Sequence, residues 1–260
     1  MGKNKLARWN EFGSFANVIQ PEIGEVTAKD HPVKGKWGAQ IFKNNNPLIL
    51  ELGCGKGEYT VGLGKMFPKN NYTGVDIKGA RMWRGAKTSN ELKMNNVAFL
   101  RTRIEFISSF FSQNEVDEIW ITFPDPHPGP KNSGKRLTSP PFLKRYTAFL
   151  KNNAIIHLKT DNTELHKYTL GVIEKYKFEL LLSTDNLYEE YASMSNRISM
   201  LELSHNNSGE NIDFYGDILS IKTHYEKQFL GKGMKITYLA FRLNREKLAE
   251  YGKETAERRE

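Results

Sequence analysis

The stretch Leu48-Ile49-Leu50-Glu51-Leu52-Gly53-Cys54-Gly55-Lys56-Gly57, with Tyr72-Thr73-Gly74-Val75-Asp76 downstream, constrains this chain more than any other. An apolar run breaks into a glycine-rich turn, a helix-like segment follows, and a second short strand ends on a carboxylate. This is the pattern of the first β-α-β unit of a nucleotide-binding α/β domain. The glycines let backbone approach a ligand closely, and the helix that follows offers N–H groups its own first turn leaves unpaired. Asp76 falls nineteen residues after Gly57, close to the spacing that sets an acid on a pair of ribose hydroxyls.

The acids select among nucleotides. A dinucleotide site favours a third glycine three residues after the second, and here that position is Glu58. A carboxylate there faces a diphosphate badly, and Glu51 adds another negative charge at the end of the first strand. S-Adenosylmethionine has no phosphate and carries a cationic sulfonium and ammonium, so an acid-rich pocket suits it better. A tight strand–helix turn without a ligand would leave terminal acids on two successive strands unexplained.

Apolar or β-branched runs at 47–52, 71–76, 97–101, 116–123, 154–158 and 177–183 alternate with helix-like segments at 57–67, 78–95, 104–112, 139–151 and 162–175. Such alternation predicts a Rossmann-like α/β fold with a doubly wound, mostly parallel sheet. Residues 234–242 alternate as a strand and are expected to join late, as an antiparallel edge. The chain divides into an N-terminal extension (1–46), partly disordered or folded back over the active edge, a domain at 47–243 and a helical tail at 244–260. A length of 260 residues fits one decorated α/β domain.

The one cysteine, Cys54, excludes an intramolecular disulfide and points to a reducing compartment. It reads as a small residue tolerated beside a ligand. No apolar run approaches the roughly 20 residues of a membrane helix, so a soluble, cytoplasmic protein without a membrane partner is expected. The histidines show no metal-ligand spacing, and no metal is expected. A net charge of +8 points to a polyanionic partner. From Pro126 to Thr160 there are seven basic residues (Lys131, Lys135, Arg136, Lys144, Arg145, Lys151 and Lys159) and no acid. A second acid-free run carries Lys78, Arg81, Arg84 and Lys87 directly after Asp76.

Ile119-Trp120-Ile121-Thr122-Phe123-Pro124-Asp125-Pro126 reads as a buried strand stopped by two prolines. They hold Asp125 at a strand's carboxyl end, where such domains bind ligands. An ordinary turn carboxylate would not explain the basic stretch that follows.

Taken with the glycine run from Glu51 to Gly57, several segments resemble the bacterial tRNA (guanine-N7)-methyltransferase family. They are Asp76-Ile77-Lys78-Gly79-Ala80-Arg81, Phe123-Pro124-Asp125-Pro126, Lys135-Arg136-Leu137-Thr138, His157-Leu158-Lys159-Thr160-Asp161 and Ile221-Lys222-Thr223-His224-Tyr225-Glu226. The likeness runs in order over about residues 45–243. It implies that Glu51, Asp76, Thr102 and Asp125 contact S-adenosylmethionine, with the backbone of Gly53 and Gly55 beside its methionine portion. It further implies that Asp161 and Thr223, His224, Tyr225 and Glu226 bind guanosine, the substrate being the variable-loop guanine of tRNA. The chain departs from the family at Thr102, where many members carry an acid or amide. It departs again at Gly129, where a basic residue is common and Lys131 takes that role. Residues 189–214 are longer than usual.

The chemistry agrees. Guanine N7 carries no proton at neutral pH, and its in-plane lone pair attacks a sulfonium methyl without help from a base. The protein has to align the reactants and tolerate positive charge growing on the base. Asp125 and Asp161 suit both tasks, as acceptors for guanine N1–H and the 2-amino group, with Asp125 the catalytic candidate. Two other readings share parts of this pattern: another S-adenosylmethionine-dependent methyltransferase, and a catalytically silent RNA-binding protein on the same fold.

Overall fold

Strand β2 (Leu48–Leu52) is buried at every residue, which in a strand requires cover on both faces and sets it at the centre of a parallel sheet. It pairs in parallel with β3 (Asn71–Asp76) and β5 (Val116–Thr122). Outward lie β4 (Val97–Arg101) and the two-residue β1 (Val18–Ile19) on one side, and β6 (Leu150–Thr160) on the other, all parallel. The eight-stranded order is β1-β4-β3-β2-β5-β6-β8-β7. This computed structural model describes residues 3–22, 24–25, 29–190 and 221–249.

The late strand β8 (Thr237–Leu243) is antiparallel as expected, yet it is not an edge. It pairs with β6 on one side and β7 (Glu179–Thr184) on the other. Burial explains the order: β8 is covered at every residue except Arg242, whereas β7 begins with two exposed residues.

Helices cover both faces. On one, α2 (Glu58–Met66) and α3 (Gly79–Glu91) contribute Tyr59, Met82 and Ala86 to a core with Phe99, Trp120 and Tyr238. On the other, α4 (Pro140–Tyr146) and α5 (Thr163–Lys175) join Trp37, Phe110, Phe149 and Phe241. The segment expected as a helix over 104–112 is a 3-10 turn, Ile104–Ser109. The one expected over 139–151 stops at Tyr146, and β6 already begins at Leu150. Among the described residues no helix is long and apolar enough to cross a membrane.

Ahead of β2 the chain packs against the domain. Helix α1 (Lys3–Gly13) lies on α3, with Trp83 Nε1 donating to Glu11 at 2.7 Å. Trp37 is fully buried and donates to the Phe110 carbonyl at 2.8 Å.

Helix α3 crosses the glycine loop through Gly85. A Cβ there would meet the Lys56 carbonyl and the Phe99 ring, each at 2.7 Å. Alanine normally improves a helix interior by about 1 kcal/mol over glycine. Here the sign reverses: Gly85→Ala is expected to destabilise by about 1–3 kcal/mol through overpacking against backbone, read as a lower urea midpoint.

Candidate active site

Five of the residues singled out from the sequence fall at the carboxyl ends of neighbouring strands. Thr102 follows β4, Asp76 ends β3, Glu51 is the penultimate residue of β2, Asp125 follows β5 and Asp161 follows β6. The sheet order therefore sets them in the row Thr102, Asp76, Glu51, Asp125, Asp161. At about 4.8 Å per strand the row spans roughly 19 Å.

The glycine loop divides its labour. Gly53 and Gly55 take φ of 78° and 55°, and a Cβ on either would meet nothing within 4 Å. Backbone there borders open space, as a ligand-facing loop requires. Gly57 has φ of 71° and packs instead: a Cβ would meet Phe99 at 2.6 Å. Asp76 pins the loop, accepting from Gly55 N at 3.0 Å and Lys78 N at 2.8 Å. Thr102 is buried and its N–H donates to the Asp76 carbonyl at 3.1 Å.

Glu51 is buried, and its oxygens are engaged by partners that the sequence did not reveal. Oε2 accepts from Thr60 N at 2.8 Å and from the Thr60 hydroxyl, and Oε1 accepts from the Thr122 hydroxyl at 2.6 Å. Burial lifts its pKa to about 7 against the opposing pull of these hydrogen bonds. Cys54 is buried, and burial together with Glu51 and Asp76 pushes its thiol well above the ordinary value. That disfavours the nucleophilic thiolate.

Asp125 is exposed, on a loop pinned at both ends. Before it, Phe123 N donates to the Lys159 carbonyl at 2.8 Å and the Phe123 ring packs on Phe229 of α6 (His224–Gly231) at 5.8 Å. After it, Arg136 Nε donates to the carbonyls of Pro126 and His127 at 3.1 and 3.2 Å. Phe123 and His127 hold positive φ of 49° and 44°, which costs side-chain-bearing residues energy and persists only where the surroundings enforce it.

The basic stretch is corrected by burial. Arg136 is 4% exposed, stacks over Tyr168 and pairs with Glu164 at 2.6 Å. It is a staple for the Pro-Asp-Pro loop, not a surface charge. Lys159 is fully buried and pairs with Glu226 at 2.8 Å. Lys151 pairs with Asp117 near the start of β6, at the opposite edge of the sheet. Lys131 and Lys135 remain exposed beside the candidate site.

The segment 221–226 lies against α2, α3 and β6. Ile221 fills the space beside Gly62, its carbonyl accepts from Lys159 Nζ at 3.3 Å, and the Tyr225 ring sits 5.8 Å from the Arg81 guanidinium. Thr223 caps α6 and forms a reciprocal capping box with Glu226. Glu226 is fully buried, accepting from Lys159, from the Tyr188 hydroxyl at 2.6 Å and from Thr223 N at 3.2 Å. A direct contact between its carboxylate and a base would require these partners to part, which for a buried ion pair costs about 3–5 kcal/mol. Lys222, His224 and Tyr225 are the exposed members. Asp161 is half-buried, and desolvation raises its pKa above the ordinary value. Of the longer segment 189–214, residues 191–214 lie outside the described residues.

Sequence signals existed for two of the missed partners. Thr223-x-x-Glu226 is a capping-box pattern. A lysine inside the apolar run Ile155-Ile156-His157-Leu158-Lys159 calls for a buried carboxylate somewhere. Nothing local marked Arg136 as buried.

A glycine loop between β2 and α2, acids on successive strand ends and an antiparallel strand between β6 and β7 define a Rossmann-like class I S-adenosylmethionine-dependent methyltransferase fold. Residues 45–215 match the family model described as "Putative methyltransferase". The tRNA (guanine-N(7)-)-methyltransferase of Bacteroides fragilis is 46% identical over 246 residues, covering 95% of this chain and 88% of that protein. Its counterpart in Christiangramia forsetii is 45% identical over 241 residues, covering 93% and 98%. Among solved structures, the 16S rRNA methyltransferase KamB superposes with a TM-score of 0.55 at 12% identity, over 79% of this chain and 92% of that one, a likeness of fold. The chain belongs to the tRNA (guanine-N7)-methyltransferase family.

Because burial raises the Glu51 pKa from 4.5 to about 7, the fold favours the protonated carboxyl. Its contribution is full below pH 4.5 and is lost as the pH rises through about 7. Glu51→Gln stays neutral, so its stability should fall less than that of wild type between about pH 5 and about pH 8. Urea unfolding of both proteins across that range checks this, and parallel profiles would place the carboxyl at its ordinary pKa.

Proposed function

We propose that this chain transfers the methyl group of S-adenosylmethionine to N7 of the variable-loop guanine of tRNA, in the cytoplasm. The observation that carries the reading is the row Thr102, Asp76, Glu51, Asp125, Asp161 on one sheet edge, with segment 221–226 packed beside it.

The donor set fits the cofactor. Open space over Gly53 and Gly55 leaves room for the methionine portion of the cofactor beside the loop, and Glu51, whose ionised form a cationic ligand favours, stands near where a dinucleotide site would hold its pyrophosphate. When bound, S-adenosylmethionine supplies a methyl group made electrophilic by its sulfonium. Asp76 receives the ribose hydroxyls while keeping the loop pinned through Gly55, Thr102 borders the adenine, and Glu51 faces the cationic end.

Asp161, Thr223, His224 and Tyr225 hold the guanosine, and Lys131 takes a neighbouring phosphate. Glu226 serves by fixing Thr223 and, with Lys159, the seat of the whole segment. Asp125 is the catalytic residue. Its loop is immobilised by Phe123 on one side and Arg136 on the other, so its carboxylate is preorganised toward the base. It accepts a hydrogen bond from the guanine edge and balances the charge that develops there. It takes no proton from N7, which has none to give.

The primary test is incubation of the protein with labelled S-adenosylmethionine and unmodified bulk tRNA, followed by digestion. 7-Methylguanosine is the expected product. Label in another nucleoside, or none, overturns the reading.

Two variant outcomes follow from the roles. Asp76→Ala should weaken cofactor binding at least about tenfold, from loss of charge-assisted hydrogen bonds worth about 1.5–3 kcal/mol each; calorimetry reads it. Asp125→Asn and Asp125→Ala should both slow single-turnover methylation about a hundredfold, the worth of one preorganised electrostatic interaction. With cofactor saturating, so that Glu51 does not enter, the wild-type rate should be nearly flat from neutral to mildly alkaline pH. Near-wild-type turnover in Asp125→Ala removes the catalytic assignment, and a steep rise with pH removes the base-free mechanism.

A further inference from the structure

Helix α1 turns its one acid toward α3. Glu11 is the only carboxylate in Lys3–Gly13, and both its oxygens are engaged: one by Trp83 Nε1 at 2.7 Å, the other by Lys87 Nζ at 2.9 Å. From Lys78 to Asn90 the chain carries no acid at all. What these two helices present outward is mostly positive, with the exposed Glu91 at the far end of α3. Arg8, Lys78, Arg81 and Arg84 are exposed, with Arg81 and Arg84 three residues apart on one side of α3.

Two arginines, Arg8 of α1 and Arg101 at the end of β4, lie over indole rings. The Arg8 guanidinium lies 4.8 Å from the Trp83 ring centroid, on a ring that Lys87 Nζ also approaches at 5.1 Å. The Arg101 guanidinium lies 3.9 Å over Trp9. A merely solvated helix face has no need of a half-buried tryptophan beneath Arg8. A guanidinium held against a ring loses less freedom when it binds, and its N–H edges suit phosphate oxygens in bidentate fashion. The face also begins at the candidate site: α3 starts at Gly79, soon after Asp76, and Arg81 leans on Tyr225 of the substrate segment. Along its 13 residues α3 runs about 20 Å away from the sheet edge.

We propose that α1 and α3 form a tRNA-docking face that grips the phosphate backbone beyond the target guanine, with Arg8 and Arg84 as phosphate ligands and Trp83 as the mount of Arg8. The inference rests on the proposed tRNA substrate and adds to it a surface, contributed by α1 and α3, outside the residues that hold cofactor and guanosine. Its chemistry is that of a backbone-reading surface: it strengthens binding to any tRNA and carries no sequence preference.

The test uses the full chain and unmodified bulk tRNA. The double variant Arg8→Gln/Arg84→Gln should weaken tRNA binding about tenfold or more at moderate salt. The slope of log affinity against log salt should fall by roughly one to two units, about one for each phosphate no longer neutralised. KM for tRNA should rise more than kcat falls, and S-adenosylmethionine affinity by calorimetry should stay as in wild type. Arg8→Lys, which keeps the charge but not the guanidinium over Trp83, should lie between wild type and Arg8→Gln. The proposal is overturned if tRNA affinity and slope are unchanged, as they would be on a face built for an acidic protein. It is equally overturned if affinity falls with the slope unchanged. Failure of wild type to methylate tRNA would instead remove the substrate reading itself, so the two failures are distinguishable.

Discussion

The carboxylate of Glu51 is the point on which the site turns. Helix α2 begins after Gly57, a residue with no side chain to cap it, and its first-turn N–H groups need an acceptor. Glu51 supplies one from the neighbouring strand, through Thr60, and with its other oxygen it takes the hydroxyl of Thr122 at the end of β5. One side chain thus joins the central strand, the helix that opens over the glycine loop and the strand that leads to Asp125. Burying a carboxylate is unfavourable unless it is bonded or neutral. The raised pKa records that this one is bonded but short of a cation. In the proposed function the cationic end of the cofactor supplies that missing charge.

A second buried carboxylate solves the same problem differently. Glu226 has its cation, Lys159, together with the Tyr188 hydroxyl and its own capping box. Burial lowers the Lys159 pKa while Glu226 opposes the drop. One acid is internally satisfied and holds a segment in place, and the other is left electrostatically receptive. The contrast separates the framework of the site from its working surface better than exposure alone does.

Much of this was legible in the sequence, and for a definite reason. Leu48–Leu52, Asn71–Asp76 and Val116–Thr122 are short apolar runs that terminate on glycine, acid or proline, so both the strands and the identity of their carboxyl ends are written locally. Aligning those ends needs only parallel pairing, and the row of candidate residues follows. What local pattern could not carry was burial of charge. Arg136 and Lys159 sit in a run that counts as basic and acid-free, but their partners, Glu164 and Glu226, lie on α5 and α6. Glycine roles were similarly hidden. Gly57, not the position of Glu58, does the helix-packing work, because Phe99 and Gly85 approach it from elements distant in sequence. The alternation of 234–242 reported a strand but not its neighbours, which depend on the exposure of β7.

That last placement has a consequence for how the molecule comes into being. Because β8 lies between β6 and β7, the side of β6 away from β5 and the inner side of β7 both pair only with the last of the described strands. Until β8 is made, β6 offers a bare edge of backbone donors and acceptors, the kind of surface that captures other chains. Glu226 emerges just ahead of β8, so the buried cation on β6 gains its counter-charge and its covering strand almost together. The half of the sheet that would seat the guanine is therefore assembled in one late, concerted step of biogenesis, while the nucleotide-binding half can be in place long before.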